Sequence, residues 1–332
     1  MPRYLLKRLA VMIPTLIVIS MLVFIIIQLP PGDYLESHIA ELESQGETID
    51  PKQIQFLREE YGLDKPAWEQ YLVWITGFVQ GDLGFSFEYN LPVTEVVGDR
   101  VVLTIMVSFF TIILTWLIAF PIGMYSATHP YTWGDYGLTF IGFLGLATPN
   151  FLLALIMLYL ANKYFGTSIG GLMDSEFIDQ PWSWDKLVSV LEHLWIPVIV
   201  IGTSGTAGMI RRLRANLLDE LRKPYVVTGR AKGLGEVRLL IKYPLRLSLN
   251  FFIADIGSLL PSVISGAEVV AIVLSLPTTG PILLSALQSQ DMYLAGSFLM
   301  FLAILTVVGV LVSDIALAIL DPRIRFQGGV KR

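Results

Sequence analysis

Three carboxylates stand inside stretches that are otherwise apolar. Asp255 and Glu268 fall within residues 251–276, and Asp314 falls within 294–320. A carboxylate in hydrocarbon costs roughly 2.5–3.5 kcal/mol on insertion scales, so such a group faces a cavity, a partner charge or a polar solute. The chemistry on offer is therefore recognition of charge rather than bond making. Asp255 and Glu268 are 13 residues apart, close to 3.6 turns, and do not share a helix face. Glu268 lies toward the end of its run where a solute would enter. Asp314 lies toward the opposite end of its own run, where pairing with a loop arginine is the alternative to lining a path. Asn150, next to Pro149, is a further candidate whose other role is packing.

Covalent chemistry has no support. The chain has no cysteine, which excludes a disulfide framework and thiolate metal sites. His38, His129 and His193 are scattered without ligand spacing, and no metal site is expected. No GxxxxGK[ST] phosphate loop, GxSxG elbow or HExxH pair occurs. With no engine of its own, the chain reads as a channel, a secondary transporter or a transport subunit driven from outside.

A second stretch with chemical character is 229–246, "GRAKGLGEVRLLIKYPLR". Taken as one helix, it places Leu234, Val237, Ile241 and Leu245 on a single apolar stripe, with Arg230, Lys232, Arg238 and Lys242 off it. Pro224 suits a first helical turn. Gly233 and Gly235 each weaken a helix by about 1 kcal/mol relative to alanine. They permit a bend or the close approach of another backbone. The stretch fits either an amphipathic helix lying on anionic lipid or a segment docking into a partner protein.

The elements that must position these residues are transmembrane helices. Of 332 residues 54% are hydrophobic and 15% charged, against roughly 25% charged in soluble domains. Six apolar runs approach the ~20 residues a span needs: 9–29, 101–127, 137–160, 193–210, 251–276 and 294–320. The first follows Arg3, Lys7 and Arg8 as a signal peptide would. It is longer than a signal h-region and no A-x-A-like site follows, so it is expected to stay as an uncleaved helix. Pro121, Pro149, Pro197 and Pro261 are expected to bend their helices and free backbone carbonyls toward a path.

Charge sets the orientation. Residues 211–246 hold ten Lys or Arg against Asp219, Glu220 and Glu236, a net +7, and belong on the cytoplasmic side. The N-terminus and Arg323, Arg325, Lys331 and Arg332 are basic too, and an even number of spans returns both ends to that side. Residues 30–100 carry fourteen acids against four bases, a net −10, and are expected outside. Ile54, Leu57 and Tyr61, then Trp68, Tyr71, Leu72 and Ile75, repeat at helical spacing, with turns at Gly62 and Gly81. Trp68, Trp74 and Phe78 fit either the membrane interface or a small core.

The sequence resembles the membrane subunits of binding-protein-dependent ABC importers, most of all the first of the two permeases of dipeptide and oligopeptide systems. The tract "YVVTGRAKGLGEVRLLIKYPLR" looks like that family's cytoplasmic EAA-type loop. "QLPPGD", "YGLDKPAWEQYLVWITGFVQGDLGFSF", "SLPTTGPILLSALQSQD" and "LDPRIR" look like its landmarks along the whole chain. Departures are Val227, Thr228 and Gly229 at the EAA positions, Tyr243 to Leu247 where "H-A-L-R-N" is usual, Pro277 to Gly280 for "P-G-x-G", and Ala271 where a glutamate is common.

The resemblance implies an all-α integral membrane protein with six transmembrane helices and a small, mostly helical external domain after the first, the type I importer permease fold. It divides the chain into residues 1–29, the external segment 30–100, spans 2–6 in 101–320 with the coupling loop 211–247, and a cytoplasmic tail 321–332. Thr228, Gly229, Arg230, Ala231, Lys232, Gly233, Leu234 and Gly235 would form the contact with an ATPase. Partners would be a second similar permease, two ATPase subunits that bind ATP and Mg, an external binding protein and the surrounding membrane lipid, but no nucleic acid. This chain would bind no cofactor and catalyse nothing. The cargo would be peptides, with oligosaccharides, nickel chelates or glutathione as alternatives. A self-contained secondary transporter or channel, or a membrane scaffold built around the acidic segment, are the readings from other classes.

Overall fold

A computed structural model describes residues 2–29, 64–165, 170–178, 180–254, 256 and 267–320. The chain is mostly helical and divides into two compact units. One contains residues 6–102 and 278–307, and the other contains 1–5, 103–277 and 308–332.

Helix α1 (Pro2–Gln28), most of it in the first unit, is about 40 Å long at 1.5 Å per residue and carries no charge beyond Arg8. Helix α2 (Ala67–Gln80) stops at Gly81, whose left-handed backbone (φ 87°) lets its N–H reach the carbonyls of Gly77 and Phe78. Its inner face is Tyr71, Trp74, Ile75 and Phe78 against Val23 and Phe24 of α1, with Met292 and Met300. Tyr71 also shares a 2.8 Å hydrogen bond with Ser20. Trp74 is thus a core residue, while Trp68 is exposed. The helical repeat through Ile54, Leu57 and Tyr61 lies outside the described residues, as does Gly62.

A two-stranded hairpin follows, β1 (Phe85–Ser86) against β2 (Leu91–Pro92). Helix α3 (Val93–Thr128) starts directly after it and kinks at Gly98. Val93 and Val96 pack on Ile282, Leu283 and Ala286 of α12 (Thr279–Gln288) and on Leu294 and Phe298 of α13 (Met292–Leu320).

Asp291, between those last two helices, is fully buried and ties the hairpin down. Its carboxylate accepts from Ser86 Oγ at 2.6 Å, from the Glu88 N–H at 3.2 Å and from the Leu294 N–H at 3.1 Å, the last as the cap of α13. Burial pushes this carboxyl above its ordinary range, against the hydrogen bonds that pull it down. A raised folded pKa means that the folded state holds the proton more tightly. The contribution of this group to stability is therefore expected to be highest in acid, to fall as pH rises from the free carboxyl value through the raised one, and to level off above it. Asp291→Asn should flatten that segment of a thermal-unfolding series against pH. An unchanged slope would place the titration elsewhere.

The second unit is built around α7 (Trp195–Leu221), about 40 Å long. It packs against α4 (Trp133–Ala147), α5 (Asn150–Phe165), α6 (Trp184–His193) and the C-terminal part of α3. Small residues make the approach possible. At Gly202 a Cβ would lie 3.3 Å from Thr115 Oγ1, and at Gly123 one would lie 2.9 Å from Leu213. This is the small-residue packing that brings membrane helices together. One apolar cluster joins Leu103, Val107, Ala154, Ile196, Val200 and Leu274, and another joins Ala119, Met209, Leu213, Leu217 and Phe252.

Among the described residues three helices, α1, α3 and α13, are long and apolar enough to cross a membrane as single elements. Two bent pairs qualify as well: α4 with α5 at 96° and α6 with α7 at 46°. The run 137–160, read as one span, is thus broken. Thr148 precedes Pro149, which excludes the helical region for it, and it is extended (ψ 120°). Pro197 sits just past the second break. Pro121, by contrast, stays inside α3, whose non-helical interior residue is Gly98. Pro261 lies outside the described residues, as do 255 and 257–266 of the run 251–276. That run ends in the short helix α11 (Glu268–Val273).

Candidate functional site

The basic stretch forms three short helices rather than one. After α7, Lys223 is extended and Pro224 takes the first position of α8 (Pro224–Ala231). Helices α9 (Glu236–Lys242) and α10 (Pro244–Ser248) follow. Gly233 ends α8 in the left-handed region (φ 78°). Its N–H donates to the Arg230 carbonyl at 2.9 Å, and the Leu234 N–H donates to Gly229 at 3.2 Å. Together these are the paired bonds of a Schellman cap, which a left-handed glycine completes.

The turn is clamped from outside. Arg230 donates from Nε to Glu236 Oε1 at 2.7 Å and from Nη2 to Oε2 at 3.0 Å. That guanidinium holds the exposed Glu236 carboxyl below its ordinary range. The inner side is Gly229, where a Cβ would lie 2.5 Å from Leu239 Cδ1. Around Gly233 itself nothing lies within 4 Å of a Cβ. Its glycine is thus required by backbone conformation, whereas Gly229 is the position of close approach.

The expected apolar stripe is therefore divided. Leu239 turns inward and is buried, and Leu240 and Leu245 pack on the cluster around Leu213 and Phe252. Val237 and Ile241 face out, 71% and 59% exposed, with Val227 of α8 exposed as well. These apolar side chains are left at the surface on short helices that also carry the exposed Arg238, Lys242 and Arg230, with the exposed Lys232 in the turn between them. Thr228, Ala231 and Gly235 are exposed as well. Apolar surface exposed in that way marks interaction sites.

The described pathway candidates, Asn150, Glu268 and Asp314, sit on separate elements. Asn150 opens α5 and donates to Ser204 Oγ of α7 at 3.4 Å. Glu268 opens α11, half-buried, and α11 packs on α5 and α7. Asp314 lies half-buried in α13, next to Ser313, whose hydroxyl donates to the carbonyls of Ile253 and Ala254. Asp255 lies outside the described residues.

Sequence reading missed a buried ion pair. Arg214 of α7 donates from Nε to Asp135 Oδ1 at 2.9 Å and from Nη2 to Oδ2 at 2.6 Å. Asp135, in the first turn of α4, is only 2% exposed and also accepts from the Tyr131 N–H at 2.9 Å. Tyr131 is left-handed (φ 64°), and its ring lies 5.7 Å from the Arg214 guanidinium carbon. The available signal was Thr132 followed three residues later by an acid, the N-terminal mark of a helix. The pairing itself joins residues 79 apart in sequence.

Two family models match the chain. Residues 119–326 match the binding-protein-dependent transport system inner membrane component, and residues 1–109 match the N-terminal part of such membrane components. The chain is similar to the oligopeptide transport system permease protein AppB of Bacillus subtilis, 35% identical over 98% of this chain and 100% of that one. It is also similar to the dipeptide transport system permease protein DppB of Escherichia coli, 28% identical over 98% and 100%. A third relative is the peptidoglycan transport system permease protein YejB of Agrobacterium fabrum, 27% identical over 98% and 99%.

Proposed function

From its membership of the family of binding-protein-dependent inner membrane components, the permease subunits of ABC importers, we propose that this chain carries peptides as half of a two-permease pathway. Names of the relatives, oligopeptide and dipeptide permeases, support the cargo. On this reading the chain has six spans with both termini cytoplasmic and residues 30–100 outside, where an external binding protein delivers cargo. A second, similar permease completes the pathway. Two ATPase subunits bind ATP and Mg and dock at the turn between α8 and α9. Glu268, with Asp255, Asp314 and Asn150 as further candidates, faces the pathway and favours a cationic group such as a peptide amino terminus. The chain itself performs no chemistry.

The observation that carries the reading is the clamped turn at Thr228 to Gly235, which leaves Val227, Val237 and Ile241 exposed among cations. A single helix lying on lipid would keep its apolar side continuous, and this one is divided by a glycine cap. The test is purification of the native complex followed by reconstitution. An ATPase should co-purify, and labelled peptide should enter proteoliposomes only with ATP. Uptake by this chain without any ATPase would instead establish a self-contained transporter. Because the chain lacks cysteine, single cysteines report orientation directly. One at Glu47 should react with impermeant maleimide in intact cells, and one at Arg238 should not; the reverse pattern overturns the topology.

A further inference from the structure

The ion pair between α4 and α7 borders a cavity of about 330 Å³ that the transport role leaves unused. One end of its lining, here called the mouth, is polar and aromatic: Tyr131, Asp135, Tyr136, Arg211 and Arg214. The other end, here called the floor, is apolar: Gly142, Phe143, Ala207 and Ile210, of which Phe143 is exposed. Gly142 lies seven residues beyond Asp135 on α4, about 10 Å along the axis at 1.5 Å per residue. The lining thus passes from charged to hydrocarbon-like over the depth of a headgroup and the first part of an acyl chain.

The charges do not cancel. Asp135 is committed to Arg214 through both oxygens. Arg211 is exposed and has no ion-pair partner among the described residues, so the mouth keeps one net positive charge. Its depth in the membrane is marked by aromatic side chains. Trp133, next to the mouth, is 92% exposed, and Tyr131 and Tyr136 are exposed too. Exposed tryptophan and tyrosine gather at the level of lipid headgroups. Phe140, Ile141 and Leu144, farther along α4, are exposed and apolar, as a lipid-facing surface requires.

We propose that this cavity is a binding site for an anionic phospholipid of the cytoplasmic leaflet. Arg211 contacts the headgroup phosphate, and the upper acyl chain lies along Gly142, Phe143 and Ile210. Basic pockets between helices on that side of the membrane recognise anionic headgroups in this manner. The Asp135–Arg214 pair holds the mouth open by fixing α4 against α7, and Tyr131 closes one side of it. The inference rests on the proposed orientation, which puts residues 211–246 on the cytoplasmic side.

The experiment uses the intact complex in nanodiscs containing phosphatidylglycerol and phosphatidylcholine in equal amounts, with retained lipid read by native mass spectrometry. The parent should retain phosphatidylglycerol about fivefold over phosphatidylcholine, the preference expected of one cationic side chain near the surface. Arg211→Gln should abolish the preference, and Arg211→Lys should restore most of it. At Gly142 a Cβ would meet Ala207 and Ile210 only at 3.8 Å, so Gly142→Leu adds bulk that fills the floor without a backbone clash. It should reduce retention of both lipids while ATPase subunits still co-purify. Inorganic phosphate at millimolar concentration should not displace the lipid. Displacement by phosphate would make the site one for a free anion and overturn the proposal. Equal retention by the parent, Arg211→Gln and Gly142→Leu would overturn it too. Loss of ATPase co-purification in the parent would count against the importer reading instead, since lipid retention is measured on this chain's own mass.

Discussion

Asp135→Ala is expected to destabilise the chain by about 3 kcal/mol, the lower end of the range for breaking one partner out of a buried ion pair. The lower end applies because Arg214 is 24% exposed and retains some access to water. Several attachments go at once: two charge-assisted bonds from Arg214, the bond from the Tyr131 N–H and the bond from Thr139 Oγ1. Tyr131 then loses what holds it in a left-handed backbone that non-glycine residues adopt at a cost of roughly 1–2 kcal/mol. The check is a thermal-unfolding cycle with Arg214→Met. The double variant should recover a large part of the loss, because the stranded guanidinium is gone. If Asp135→Ala costs under about 1 kcal/mol, the pair is a surface contact and α4 is held by its apolar packing on α7 alone.

A second large effect is expected at Gly233. Its φ of 78° excludes β-branched side chains, so Gly233→Val should open the Schellman cap and pull Arg230 away from Glu236. Membrane insertion should be normal, because the turn lies outside every apolar run. Peptide uptake driven by ATP should fall at least about tenfold, the effect of losing roughly 1.4 kcal/mol of coupling. Gly233→Asn tolerates the left-handed region and should keep most of the activity. The contrast between the two substitutions isolates backbone conformation from bulk, since the space around Gly233 is open. Equal uptake by the parent and the valine variant would remove the turn from the docking contact.

Much of the architecture is legible as pattern. The long runs 9–29, 101–127 and 294–320 correspond to α1, α3 and α13, because a span is set by length and hydropathy, both local properties. Pro224 at a helix start and Gly81 at a helix end are likewise local matters of φ and missing donors. Periodicity misled where chain direction changes. The stripe through Leu234, Val237, Ile241 and Leu245 assumed one axis, and Gly233 and Tyr243 give three. Gly233 and Gly235 admitted a bend or a close approach; within the chain Gly233 makes the bend, and the tight contact is at Gly229. Glycine content alone does not distinguish a left-handed turn from a tight contact, and only the neighbours do.

Composition and spacing by themselves determined that this chain is an apolar, helical membrane protein with one strongly basic and one strongly acidic segment and no cysteine. These follow from what a bilayer excludes and from where charge resides along the chain. Only the tertiary structure decided that Asp135 meets Arg214, that Asp291 secures the hairpin at Ser86, and that α4 and α5 break apart at 96°. Ser86 and Asp291 are 205 residues apart. No local rule relates such positions. What pairs them is the cost of burying a carboxylate without donors, which the fold meets by bringing donors from distant elements to the same place.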